Sequence, residues 1–266
     1  MNLKIWKLSF ALCFLIPFAL CAENFIVFLV EAPHLRYDSV SGLLKSIAKH
    51  PSNYSKNGDV GHAWIYLHGY LDGKEITCEG GHSGELGLNQ PTYIKGVHEN
   101  ILLGSKNPIS YLFCAQEDGF FQKGSGHHVP TFAAKMKLSE EQLKIIVEFI
   151  SQYDFKKYSI TERQCCTFIT EVALQLGLTL KTKRLVSFPS EVWMGNRKIC
   201  LWTDPKYSKI SYSCPDLLEI ALKKAVDEGK LEPAKQWSEK RYQPSLQKLL
   251  QQGLLLPMRL IRYLSF

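Results

Sequence analysis

The run Arg163-Gln164-Cys165-Cys166-Thr167-Phe168-Ile169 decides how this 266-residue chain is read. From it, Cys165, Phe168, Ile169, Val172, Ala173 and Leu176 recur at three- and four-residue spacing, which predicts a helix with one apolar stripe. Gly177 is a natural stop for that helix, and Thr161 with Gln164 stands where a capping pair would open it. Two cysteines therefore fall in the first turn, where unpaired backbone N–H groups and the helix dipole favour negative charge. A thiol there is biased toward the thiolate, the form that acts as a nucleophile. Free cysteines are also common as small buried hydrophobes, and this segment alone leaves both roles open.

A thiolate nucleophile needs an imidazole, and the imidazole needs a polar group to orient it. His62 follows Gly61 at the head of His62-Ala63-Trp64-Ile65-Tyr66-Leu67, and Lys74 to Glu79 lies just beyond Gly69 to Gly73. The two runs read as a β-hairpin. Paired so that position numbers sum to 141, Ala63 faces Cys78 and Ile65 faces Ile76 on an apolar face, and His62 faces Glu79 on the other. A carboxylate in that place accepts a hydrogen bond from the ring and stabilises the imidazolium. His82, in the glycine-rich segment Glu79 to Glu85, is a second candidate for the orienting role, expected on a mobile loop at the rim of the site. His127 and His128 are adjacent, and neighbouring side chains on a strand or loop point apart, so no metal site is expected there. The chain has no CxxC or HxxxH spacing of the kind zinc sites use.

Gly61-His62-Ala63-Trp64-Ile65, followed about 100 residues later by Cys165-Cys166-Thr167-Phe168-Ile169, resembles the circularly permuted NlpC/P60, papain-like group of cysteine hydrolases. In that group the histidine strand precedes the cysteine helix. The resemblance covers roughly residues 24 to 195 and implies Cys165 as nucleophile, His62 as base and Glu79 as orienting residue. Phe188-Pro189-Ser190 is similar to a loop often seen after that helix. Two positions depart from the pattern: Gln164 replaces the usual asparagine, and Cys166 stands where threonine is common. The adjacent thiols leave Cys166 open as the nucleophile, although the motif favours Cys165. The resemblance implies a papain-like α+β fold, in which an antiparallel sheet packs against the helix carrying the nucleophile, and an activity with no cofactor and no metal. Its substrates would be peptides, peptidoglycan or acyl lipids, and its outcome hydrolysis or acyl transfer. A papain-like binding module without turnover is the alternative.

The remaining segments fit an α+β order. Asn24 to Val30 reads as a buried strand, and Ile109 to Cys114 and Thr131 to Leu138 as further strands. Ser139-Glu140-Glu141-Gln142 is a capping box, opening a helix to about Tyr153. A short helix is expected at Val40 to Lys49. Residues 200 to 266 read as a basic helical extension, with helices at Cys214 to Asp227 and Ser245 to Leu256.

Residues 1–22 carry Lys4 and Lys7, an apolar run from Leu8 to Leu20, and Ala19-Leu20-Cys21-Ala22, the layout of an export signal. The run is too short to span a bilayer as a helix, so residues 23–199 are expected to form the catalytic domain of an exported protein. A signal anchor is the weaker option, and lipidation at Cys21 is disfavoured by the bulky Leu20. With 45% hydrophobic and 21% charged residues, the chain is neither a disordered tail nor a membrane bundle. Without the signal the charge of +7 becomes +5, of which residues 201–266 carry +4. Those basic residues show no interleaving with aromatics that would suggest nucleic acid. Residues 254–266 mix apolar side chains with Arg259 and Arg262, so the tail is a candidate for peripheral membrane contact, with packing against the domain as the competing option. Cys200 and Cys214 are candidates for a disulfide in an oxidising compartment.

Overall fold

A computed structural model describes residues 23–37, 39, 42, 60–84 and 89–242. The expected signal, the Val40–Lys49 helix, the Ser245–Leu256 helix and the 254–266 tail lie wholly or mostly outside them. The structure is a mixed α+β fold built on an antiparallel six-stranded sheet. Its strands are β1 (Phe25–Glu31), β2 (His62–Leu71), β3 (Lys74–Gly84), β4 (Gly119–Lys123), β5 (Phe132–Lys137) and the two-residue β10 (Glu232–Pro233), in the order β10-β5-β1-β2-β3-β4. Ile26 through Val30 are wholly buried, because β1 sits between β5 and β2 and is covered on both faces.

One face of the sheet presents Ile26, Phe28, Val30, Ala63, Ile65 and Leu67. The helices that supply the rest of this main core are α2 (Glu140–Gln152), α3 (Cys165–Gln175) and α4 (Pro215–Asp227). The other face carries Val27, Leu29, Trp64 and Tyr66, and Trp237 and Tyr242 of α5 (Lys235–Tyr242) pack on it. Two small two-stranded sheets stand apart: β6 (Lys183–Ser187) pairs with β9 (Lys209–Ser213), and β7 (Glu191–Met194) with β8 (Arg197–Cys200).

Two helix signals read in the sequence, a capping box and a glycine stop, are realised. Ser139 accepts from Gln142 N–H at 3.1 Å while Gln142 Oε1 accepts from Ser139 N–H at 3.0 Å, the reciprocal capping box. After α3, Gly177 takes φ +75° and donates to Leu174 O, and Leu178 donates to Ala173 O. This closure satisfies the last carbonyls and buries Leu178. Three readings are corrected. Pro108–Phe113 is a 3-10 helix rather than a strand, with Pro108 at its first turn. A helix, α1 (Asn89–Leu102), lies in the Gly-, His- and Asn-rich stretch 80–130, for which the sequence predicts one strand, at Ile109–Cys114, and no helix. Cys200 and Cys214 are both free thiols: Cys200 ends β8, and Cys214 caps α4 in the core.

The hairpin register is corrected as well. Asp72 and Gly73, with φ of +50° and +73°, form a two-residue turn that pairs Leu71 with Lys74 and Tyr66 with Glu79. Paired numbers therefore sum to 145, so residues 69–71 belong to the strand and the partners slide by four. Because the slide is even, each residue keeps its face. Gly73 has open space where a Cβ would stand, so Gly73→Ala tests the backbone alone. The left-handed conformation is expected to cost about 1–2 kcal/mol, read as a lower urea midpoint at unchanged slope.

Candidate functional site

Cys165 opens α3, and the residue before it supplies the cap. Gln164 is extended, its side-chain oxygen accepts from Cys166 N–H at 2.7 Å, and its amide donates to Ser213 O at the end of β9. One side chain thus satisfies a free N–H of the helix and ties its first turn to a neighbouring strand. Ahead of it, Ser159 organises a tight turn by accepting from Glu162 and Arg163 N–H. Thr161 meets only Ser159, at 3.4 Å, so the cap is Gln164 alone rather than the expected pair.

His62 opens β2, and the strand's first residue meets the helix's first turn at one end of the sheet. The Cys165 thiol is held well below the usual cysteine range. The leading cause is a hydrogen bond from the Cys166 thiol, whose sulfur lies 3.9 Å away; His62 and the Ala63 N–H add to it, and burial opposes it. A contact of 3.4 Å from Cys165 Sγ to Gln164 Oε1 suits the neutral thiol and works the other way. Three donors outweigh one acceptor, so the thiolate is favoured. Cys166 is driven in the opposite direction, first by burial and then by its neighbouring thiolate. Of the two thiols, Cys165 is the one whose thiolate is favoured, and Cys166 lies beside it as a donor. Both Cys165 and His62 are buried, at 8% and 5% exposure.

Glu79 is not brought to His62. It faces Tyr66, four residues and so about 13 Å further along the strand. Its carboxylate accepts from Tyr242 O–H at 2.7 Å and from the Arg241 guanidinium, both on α5. The expected His62–Glu79 pairing fails because the two-residue turn sets a longer hairpin. The cross-strand neighbour of His62 is Glu31, in β1. His62 Nε2 is buried without a hydrogen-bond partner and lies 3.3 Å from where a Gly81 Cβ would be. Sequence reasoning missed Glu31. The signal available was the odd polar residue closing an otherwise apolar strand.

His82 is a strand residue at 0% exposure, not a loop residue. Its Nε2 contacts Phe155 O at 3.1 Å, and Tyr153, Phe155 and Tyr158 enclose the ring edge-on. Burial pushes its pKa down to about 4, so it is a neutral prop beneath the segment leading into α3. His128 turns inward against His62 while His127 is exposed, so the two adjacent histidines do point apart. Among the described residues, no group of three or more histidines, cysteines and acids is placed to hold a metal. No family model, curated protein or solved structure matches the chain.

Two measurements follow from these environments. A histidine with a depressed folded value leaves its stability contribution intact above the unfolded value near 6.5; that contribution is lost as pH falls from about 6.5 to about 4. His82→Gln is therefore expected to flatten the fall of the urea midpoint across that window. Iodoacetamide is expected to alkylate Cys165 at pH values where an ordinary thiol is protonated, and His62→Ala to slow labelling about tenfold or more near pH 7. Unchanged labelling in that variant would show that the imidazole does not support the thiolate.

Proposed function

We propose that this chain is an exported thiol hydrolase or acyltransferase of papain-like architecture, with Cys165 as nucleophile and His62 as its acid–base partner. The observation that carries the reading is a cysteine in the first turn of a capped helix, its thiol lowered by a neighbouring thiol, an imidazole and a backbone N–H. The orienting role expected of Glu79 is not part of it, since that carboxylate is engaged by Arg241 and Tyr242.

In the proposed reaction the Cys165 thiolate attacks a carbonyl carbon, and backbone N–H groups at the start of α3 stabilise the oxyanion. His62, as imidazolium, gives its proton to the leaving amine or alkoxide as the carbon–leaving-group bond breaks, and a thioester remains. Water or an acceptor hydroxyl then adds to the thioester, His62 takes its proton, and the thiolate departs. Peptide, peptidoglycan and acyl-lipid carbonyls all suit this chemistry, and the fold does not choose among them.

The burial of both side chains favours one further reading, a papain-like envelope binding module without turnover. A cavity of about 620 Å³, lined in part by Thr167, Glu171, Lys181 and Ser213, lies beside α3 and is available to such a role. Profiling the full chain against muropeptides, peptides and acyl lipids separates the two. Turnover is expected for one class, falling by about three orders of magnitude or more in Cys165→Ala. In Cys166→Ala, turnover persists with its acid limb displaced to higher pH, because the thiolate loses its donor. Binding without turnover in the wild type would support the second reading.

A further inference from the structure

The unmet demand at the site is the His62 ring. It is 5% exposed, its Nε2 has no hydrogen-bond partner, and the acid expected to orient it is held elsewhere. What surrounds it is another constellation. Glu31 is its direct cross-strand neighbour, and the Glu31 carboxylate is in hydrogen-bond contact with Nδ1 of His128. The His128 ring lies against that of His62, with centroids 4.8 Å apart and planes 30° from parallel. Trp64 closes the group at 5.8 Å from His62, at 13° to its plane, and its indole N–H donates to the Tyr242 hydroxyl oxygen at 3.1 Å.

The turn that delivers His128 is strained to do so. Gly124, Gly126 and the non-glycine His127 all take positive φ, at +72°, +63° and +70°. A left-handed histidine costs about 1 kcal/mol or more, and such conformations persist where the surrounding structure demands them. Here the turn sends His127 outward and His128 inward onto His62.

We propose that His128, held by Glu31, is the positioning residue of the His62 base, in the place that sequence reasoning gave to Glu79. The proposal rests on the thiol-hydrolase reading above. The Glu31 carboxylate anchors the His128 ring, and that ring walls the His62 ring against rotation. Facing His62 are Glu31 from β1, His128 from the turn before β5 and Cys165 from α3. Further off, Cys166, His82 and Asp216 act on the two thiols, and Glu79 is reached only through Tyr242 and Trp64.

The test is the pH profile of Cys165 alkylation by iodoacetamide in the full-length chain, with Cys165 and Cys166 distinguished by tandem mass spectrometry. Glu31→Gln and His128→Gln are each expected to displace the profile to higher pH and slow labelling near pH 7 about three- to tenfold. Glu31→Asp should restore most of the loss. The double variant should be no slower than either single one, because both act along one path. A merely structural role would lower thermal stability and leave the profile of the folded fraction in place. Unshifted profiles for both single variants, with His62→Ala still displaced, would overturn this proposal alone. A shift in Glu79→Gln in their stead would return the role to Glu79. A wild-type Cys165 that labels as an ordinary thiol would overturn the hydrolase reading and this proposal together.

Discussion

The Gln164 side chain is the contact on which the site depends. Its oxygen holds the Cys166 N–H and its amide holds Ser213 O, so one residue both starts α3 and fixes that start against β9. Asparagine, the shorter amide, has a side chain with one carbon fewer. The longer glutamine bridges helix and strand while remaining buried at 6% exposure. Everything chemical follows from where the first turn is placed: the neighbouring thiol, the imidazole and the Ala63 N–H converge on Cys165 only with that turn in register.

How the rest was written in the sequence differs from element to element. The stripe of α3, the capping box of α2 and Gly177 were legible because each depends on contacts within four or five residues. The hairpin was legible as a hairpin, and its faces were too, because side chains alternate with period two. Its register was not, because apolar matching is satisfied by any even slide. The Asp72-Gly73 turn, a stronger signal than the faces, selects among those slides. Glu31 and His128 could not be joined by any local rule. They are 97 residues apart, and only the β1–β2 pairing and the strained turn at 124–128 bring them to one ring. The Cys200–Cys214 expectation failed for a similar reason: spacing along the chain says nothing about α4 drawing Cys214 into the core.

The two faces of the sheet divide the labour. The face toward α2, α3 and α4 is apolar, and His82, boxed by aromatic rings, is its buried titratable exception on β3. The opposite face carries the polar groups of interest, with Glu31, Trp64 and Glu79 linked by rings and hydrogen bonds under α5. Arg241 stacks on Tyr66 at 4.2 Å and holds Glu79, so α5 is fastened by charge as well as by the packing of Trp237 and Tyr242.

Gly61 carries a consequence in time rather than in space. At φ +87° it is wedged among Glu31 O, Pro33 and Pro215, so β1, β2 and α4 close on one residue that cannot bear a side chain. These segments lie far apart along the chain, as do His62 and Cys165 at a separation of 103 residues, and distant contacts form late. The Gln164 cap is local, but the His62 contact that helps to lower the Cys165 thiol spans most of the chain, so the thiol has its full environment only once these distant segments have closed.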